Sequence, residues 1–241
     1  MSASPAAASA KRAGPSAIAQ IKDRLKHFAH GVLGPVVGAL AGAGIKADHV
    51  TWFGLALGVA AGVAFFDGRS RLAALLLTLC GMCDILDGQL ARRSGVNSRF
   101  GAFLDSTLDR LSESAALIGI AGFGVRNLWM LALEPERAVQ EMQSAGLDPV
   151  AWVVLALLAM VSLVGSFMVS YTRARAEGLG IECRVGWFER PERLVLLILA
   201  GALHVFWAMT GALMVLALFS IATAVQRVMH VWKHTRGAGR D

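Results

Sequence analysis

The sequence predicts an all-α integral membrane protein, with six transmembrane helices preceded by an N-terminal amphipathic helix lying in the membrane interface. Three observations predict it. Hydrophobic residues make up 56% of the 241 positions and charged residues 17%, against roughly 45–50% and about 25% in an average soluble domain, and the mean hydropathy is +0.57. The apolar residues gather into six runs close to the ~20 residues that a bilayer core requires. Basic residues concentrate at alternate ends of those runs, as in loops retained on the cytoplasmic side. That bias also accounts for the formal charge of +6, and no nucleic-acid partner is needed to explain it.

Taken in order, residues 1–17 are Ala/Ser-rich with no apolar core, which predicts a disordered cytoplasmic tail and no signal peptide. Residues 18–45 hold an interfacial helix and a linker: Ile18, Ile21, Leu25 and Phe28 recur at helical spacing among Lys22, Arg24 and Lys26. Residues 46–232 are expected to form the six-helix transmembrane domain, and 233–241 a second cytoplasmic tail. Its spans are expected at 50–66, with Asp48 as N-cap, then 72–90, 103–125, 150–171, 194–208 and 212–232. The fifth is short, and its helix is expected to begin in the preceding ERPER stretch, where Pro191 fits a first turn. Trp52, Trp129, Trp152 and Trp232 fall near run ends, as interfacial anchors do.

With both termini inside, the cytoplasmic loops carry Lys46, Arg92, Arg93, Arg99, Arg173, Arg175, Arg184, Arg190 and Arg193, whereas the other side has only Arg69, Arg71, Arg126 and Arg137 among acidic neighbours. This orientation places the protein in the inner (cytoplasmic) membrane. The outer excursion at 126–149 is expected to hold a small helix around 135–143, and the longest inner loop is expected at 172–192. Cys80 and Cys83 stand three apart in an apolar helix and Cys183 is alone, which predicts packing and neither a disulfide framework nor a zinc site. No glycine stripe singles out one packing interface.

The chemistry lies where the second span meets the third. Asp84 and Asp87 are three apart and share a helix face, Asp105 and Asp109 are four apart and share another, and eight residues from Arg93 to Phe100 turn the chain between them. Four ionised carboxylates in one low-dielectric volume repel each other, and a bound cation resolves both that repulsion and the desolvation cost. An all-oxygen donor set without His or Cys favours magnesium or manganese, and four carboxylates suffice for two ions. Gly88, Ala91 and Gly101 leave room for a ligand against helix backbone, and Arg92 offers a fork for a diphosphate. The competing reading is a transport or binding protein that uses Asp–Arg pairs within the membrane.

The stretch Asp84-x2-Asp87-Gly88-x2-Ala91-Arg92-x8-Gly101-x3-Asp105-x3-Asp109 resembles, without a departure, the signature of the CDP-alcohol phosphotransferases. The six spans and interfacial helix extend the resemblance over nearly the whole chain. It implies transfer of a substituted phosphate from a CDP-linked alcohol such as CDP-diacylglycerol to a second, small polar alcohol, with release of CMP, in a homodimeric enzyme. It further implies Asp84, Asp87, Asp105 and Asp109 as metal ligands, Asp109 as general base, and Gly88, Ala91, Arg92 and Gly101 beside the nucleotide and diphosphate. The family's Thr-Pro-Asn-x-x-Thr at the start of the first span is here Lys46-Ala47-Asp48-His49-Val50-Thr51, so Asp48 and Thr51 are the remaining nucleotide candidates.

The acceptor is read from the strings SYTRARAEG (170–178) and ERPERL (189–194), similar to those of prokaryotic phosphatidylinositol-phosphate synthases within the family. That similarity implies inositol 1-phosphate as acceptor. Arg175 and Arg193 match best for its phosphate, Arg173 stands where a lysine is common, and Arg110 follows the last aspartate. Glycerol 3-phosphate, as used by phosphatidylglycerolphosphate synthases, is the alternative acceptor.

Overall fold

The computed structural model describes residues 33–94, 98–186 and 188–238, and all of its regular structure is helical. The expected tail at 1–17 and the interfacial helix, apart from Leu33, lie outside the described residues. The chain divides between Ile45 and Lys46 into two compact units. In the first, α1 (Leu33–Gly42) closes through Gly44, whose φ of +74° lies in the left-handed region. The Ile45 N–H then returns to the Leu40 carbonyl at 3.1 Å.

The second unit holds α2 (Ala47–Phe66), α3 (Ser70–Ser94), α4 (Arg99–Leu133), α5 (Pro135–Ala145), α6 (Pro149–Glu177), α7 (Arg190–Leu203) and α8 (Phe206–Ala238). Five of these, α2, α3, α4, α6 and α8, are long and apolar enough to cross a bilayer. Burial is distributed as lipid demands. On α6, Ala159 is fully buried while Val164 is 63% exposed, so small residues face the bundle and large apolar ones face outward. This is an integral membrane protein.

Most helices outrun the apolar segments that predicted them, because strong helix formers continue the helix past the edge of the hydrocarbon. α6 carries Arg173, Arg175 and Glu177 near its C-terminal end, so the expected 172–192 loop shrinks to 178–189. α4 likewise runs on to Leu133. The expected cap at Asp48 is corrected: α2 starts at Ala47 with Lys46 as N-cap, and Asp48 lies in the first turn. There the His49 Nδ1 accepts the Lys46 N–H at 3.3 Å. Asp148 does cap α6, accepting the Ala151 N–H at 3.0 Å.

The largest correction concerns the fifth span. It ends at Leu203, not at 208, and α8 begins at Phe206. His204 makes the break with φ +53°, a left-handed conformation that a sequence without Gly or Pro at that point does not advertise. Its Nδ1 shares a 2.6 Å hydrogen bond with the Ser70 hydroxyl at the start of α3. Arg190, at the other end of α7, meets Asp84 of α3. α7 therefore runs antiparallel beside α3 for about 21 Å, from its 14 residues at 1.5 Å each.

A glycine stripe is also present after all, in Gly54-x3-Gly58-x3-Gly62 of α2. A Cβ on Gly58 would overlap Ser112 of α4, and one on Gly62 would overlap the backbone at Ala115. Gly119 of α4 meets the Gly62 backbone in return. The stripe packs one chain's helices together, and through that close approach it sets α2 beside the aspartates.

Candidate active site

Three helices supply the centre. α3 carries Asp84 and Asp87, and α4 carries Asp105 and Asp109. The tight α2–α4 approach brings Thr51 over Asp87: its hydroxyl donates to the Asp87 Oδ2 at 2.9 Å, with the Ala47 carbonyl 3.0 Å away. Asp87 is 4% exposed, so that hydrogen bond replaces water it has lost. At the start of α4, Ser98 caps the helix by accepting the Gly101 N–H at 2.8 Å. A Cβ on Gly101 would come to 2.9 Å from that hydroxyl and 3.7 Å from Asp48 Oδ1, so glycine here keeps the turn tight and the space beside it open.

Two cavities meet at Asp105. The first, about 520 Å3, is lined by Asp48, Thr51, Asp87, Gly88, Ala91, Arg92, Arg99, Gly101 and Asp105. Every residue that the sequence assigned to the nucleotide is therefore on its wall. The second, about 230 Å3, is lined by Asp105, Asp109, Arg110, Arg173, Glu189, Arg190, Arg193 and Arg227, with Ser106, Val169, Ser170 and Pro191. Its arginines outnumber its carboxylates five to three.

Asp84 and Asp109 are joined by a residue from neither motif helix. The Arg190 Nη1 donates to Asp84 Oδ2 and stands 2.9 Å from Asp109 Oδ2. Two motif carboxylates thus converge on one cationic nitrogen. Among the described residues, no three His, Cys, Asp or Glu side chains converge as the ligand shell of an ion. The donor set is nonetheless one that hard divalent cations prefer: four carboxylates on facing helices, two of them already sharing a positive charge.

The arginines of the second cavity are held in different ways. Arg193, 1% exposed, forms a bidentate pair with the buried Glu113 at 2.7 and 2.9 Å, while its Nη1 has no partner among the described residues. Arg173 sits 2.9 Å from Glu177 and 3.9 Å from Glu189. Arg110 turns back to the Ser106 carbonyl. Arg175 is exposed and is not on the cavity wall, because two residues along a helix lie on opposite sides.

Two participants, Glu113 and Arg227, are not assigned to the site from the sequence, and a third, Arg190, enters there only as one of the basic loop cluster that could meet a phosphorylated acceptor. Glu113 follows Asp109 by four residues, on the same face of α4. Arg227 is a buried arginine in the apolar run of α8, a position that marks function by default in a membrane segment. Its Nε donates to the Val185 carbonyl at 2.9 Å, and its Nη1 donates to that of Val169. Arg190 stood in ERPER among several loop charges, and nothing in that string distinguishes it from its neighbours.

The sequence profile of CDP-alcohol phosphatidyltransferases matches residues 45–226, and this chain belongs to that family. It is an enzyme of the transferase class, set in a multi-pass membrane fold. Among its relatives is the archaetidylinositol phosphate synthase of Methanothermobacter thermautotrophicus, 37% identical over 80% of this chain and 86% of that one. The phosphatidylinositol phosphate synthase of Mycobacteroides abscessus is 35% identical over 86% of each chain. The phosphatidylinositol phosphate synthase of Mycobacterium tuberculosis, 31% identical, superposes with a TM-score of 0.65 when solved with CDP-DAG and 0.67 when solved with manganese and citrate. Those matches cover 82% of this chain and 92% and 88% of the solved chains.

Proposed function

We propose that this chain transfers a phosphatidyl group from CDP-diacylglycerol to inositol 1-phosphate, releasing CMP and forming phosphatidylinositol phosphate at the cytoplasmic face of the inner membrane. One observation carries the reading: a cavity walled by five arginines opens onto the same aspartate, Asp105, that borders the motif-lined cavity. A phosphorylated acceptor needs such a wall, since each charge-assisted contact to phosphate is worth about 1.5–3 kcal/mol. The names of the relatives point the same way. Archaetidylinositol phosphate and phosphatidylinositol phosphate synthases differ in the lipid and share the inositol phosphate.

The division of labour follows from the walls. Arg92, Gly88, Ala91 and Gly101, with Asp48 and Thr51, receive the nucleotide and diphosphate in the larger cavity. Arg173, Arg193 and Arg227 receive the acceptor phosphate in the smaller one, with Arg110 beside them. The unpartnered Nη1 of Arg193 is the donor best placed for it, since its other two nitrogens are fixed by Glu113. The acceptor hydroxyl attacks the phosphorus that bears diacylglycerol. Its proton passes to the Asp109 carboxylate on the wall of the smaller cavity, and the bond from that phosphorus to the CMP oxygen breaks.

Asp84, Asp87, Asp105 and Asp109 would hold one or two divalent ions, magnesium or manganese, which when bound would neutralise the diphosphate and the departing CMP. The pairing of Asp84 and Asp109 around a single cation is the feature that fits them to this task. α7 makes the sixth pass, with both termini and the site on the side where basic residues concentrate.

The test is CMP release from CDP-diacylglycerol by purified protein with magnesium or manganese, across inositol 1-phosphate, glycerol 3-phosphate, inositol and serine. Inositol 1-phosphate is expected to support turnover and free inositol is not. Turnover with glycerol 3-phosphate alone would keep the arginine cavity and overturn the inositol assignment.

A further inference from the structure

Arg190 stands where the proposed function least expects it. Its Nη1 contacts both Asp84 and Asp109, two of the carboxylates that reading assigns to divalent metal. Yet Arg190 belongs to the wall of the arginine cavity, not to the motif. Among the described residues its Nη2 reaches the Ser112 hydroxyl, at a long 3.5 Å, and its buried Nε has no partner. A guanidinium with one nitrogen on the aspartates and another unpaired beside an anion-binding cavity is held between two alternatives.

We propose that Arg190 is a latch: it neutralises Asp84 and Asp109 until an anion in the arginine cavity draws it away, and its departure opens those carboxylates to the metal. The inference rests on the functional reading above and adds a coupling between its two halves. A carboxylate oxygen engaged by a guanidinium N–H cannot at the same time give that lone pair to an ion, so the two cations compete for Asp84 and Asp109. An anion in the cavity gains a fork that is otherwise occupied, and satisfies the stranded Nε. Each ligand then favours the other by the same factor, as linkage requires. Arg190 is on this account a positioning residue: it acts on the metal by leaving it room, and the site does not commit its aspartates before the acceptor's phosphate has arrived.

The experiment is Mn2+ binding, read from the loss of the free-ion EPR signal, in full-length wild-type protein and Arg190→Gln in nanodiscs, with and without sulfate as a tetrahedral dianion. Gln keeps polarity and the first part of the stem and removes the competing charge. Arg190→Gln is expected to bind Mn2+ alone roughly tenfold more tightly than wild type, the scale of one charge-assisted contact released. Sulfate is expected to tighten Mn2+ binding in wild type and to leave the variant unchanged. Arg190→Lys, which keeps the charge but loses the fork, should fall between the two and serves if the Gln protein does not fold. Equal or weaker Mn2+ binding by the folded variants would make Arg190 a structural strut and overturn the latch while leaving the metal reading intact. No Mn2+ binding by any of the proteins would overturn both.

Discussion

The two cavities that share Asp105 are opposite in character. The larger, about 520 Å3, sets three carboxylates (Asp48, Asp87 and Asp105) against two arginines, and its walls belong to the ends of α2, α3 and α4. The smaller, about 230 Å3, sets five arginines against three carboxylates and draws on α4, α6, α7 and α8. An acidic wall can face a diphosphate only with added cations, whereas a basic wall takes a phosphate monoester directly. One half of the site is thus arranged to borrow positive charge and the other to supply it. That asymmetry matches the proposed pair of substrates, one bringing a nucleotide diphosphate and the other a single phosphate on a small polyol.

The comparison breaks most completely at Asp109, on the wall of the smaller cavity, and at Asp105, which both cavities share. Asp109→Asn keeps shape and removes basicity, so kcat for CMP release is expected to fall about 10²–10⁴-fold, with CDP-diacylglycerol affinity retained in a binding assay. Asp105→Asn alters both cavities, so it should raise both KM values as well as lowering kcat. A change confined to one substrate would show that Asp105 serves a single cavity.

A smaller effect, on stability, sharpens the account of the basic half. Arg193→Met leaves Glu113 buried and unpaired, and breaking such a pair typically costs about 3–5 kcal/mol. The thermal midpoint in detergent should drop, and should recover when Glu113→Leu is added, because the pair as a whole contributes little net stability. Acceptor binding should stay weak in the double variant. Recovery of acceptor binding together with the midpoint would reduce Arg193 to a structural role.

Legibility in the sequence follows the same division. The acidic half is local: its motif spans two consecutive helices, and i, i+3 and i, i+4 arithmetic places Asp84, Asp87, Asp105 and Asp109 before any coordinates. The basic half is assembled from distant segments. Arg227 reaches Val185 and Val169, 42 and 58 positions away, and Glu113 meets Arg193 across 80. No linear spacing encodes those pairings, although a lone arginine in the apolar run of α8 was a signal in itself. Arg173 and Arg175 show a subtler limit. Both fit the string, but only the helical extension of α6 to Glu177 decides which one faces the cavity. Hydropathy marks where the hydrocarbon ends, and the helix ends later, wherever its caps fall. The turn at His204 shows the converse, since a left-handed residue there ends α7 at Leu203, inside the run expected to continue to 208.

The central claim is that the two cavities hold different substrates, and crossed steady-state kinetics on Arg92→Ala and Arg173→Ala test it most directly. With both CDP-diacylglycerol and inositol 1-phosphate varied, Arg92→Ala is expected to raise the KM for the CDP-lipid about tenfold, one charge-assisted contact partly screened by solvent, and to leave that for the acceptor nearly unchanged. Arg173→Ala is expected to do the reverse, and Arg175→Ala, two residues further along α6 and off the cavity wall, to move neither by more than about twofold. If Arg92→Ala and Arg173→Ala raise the same KM, or if Arg175→Ala outweighs Arg173→Ala at the acceptor, the assignment of one substrate to each cavity is contradicted.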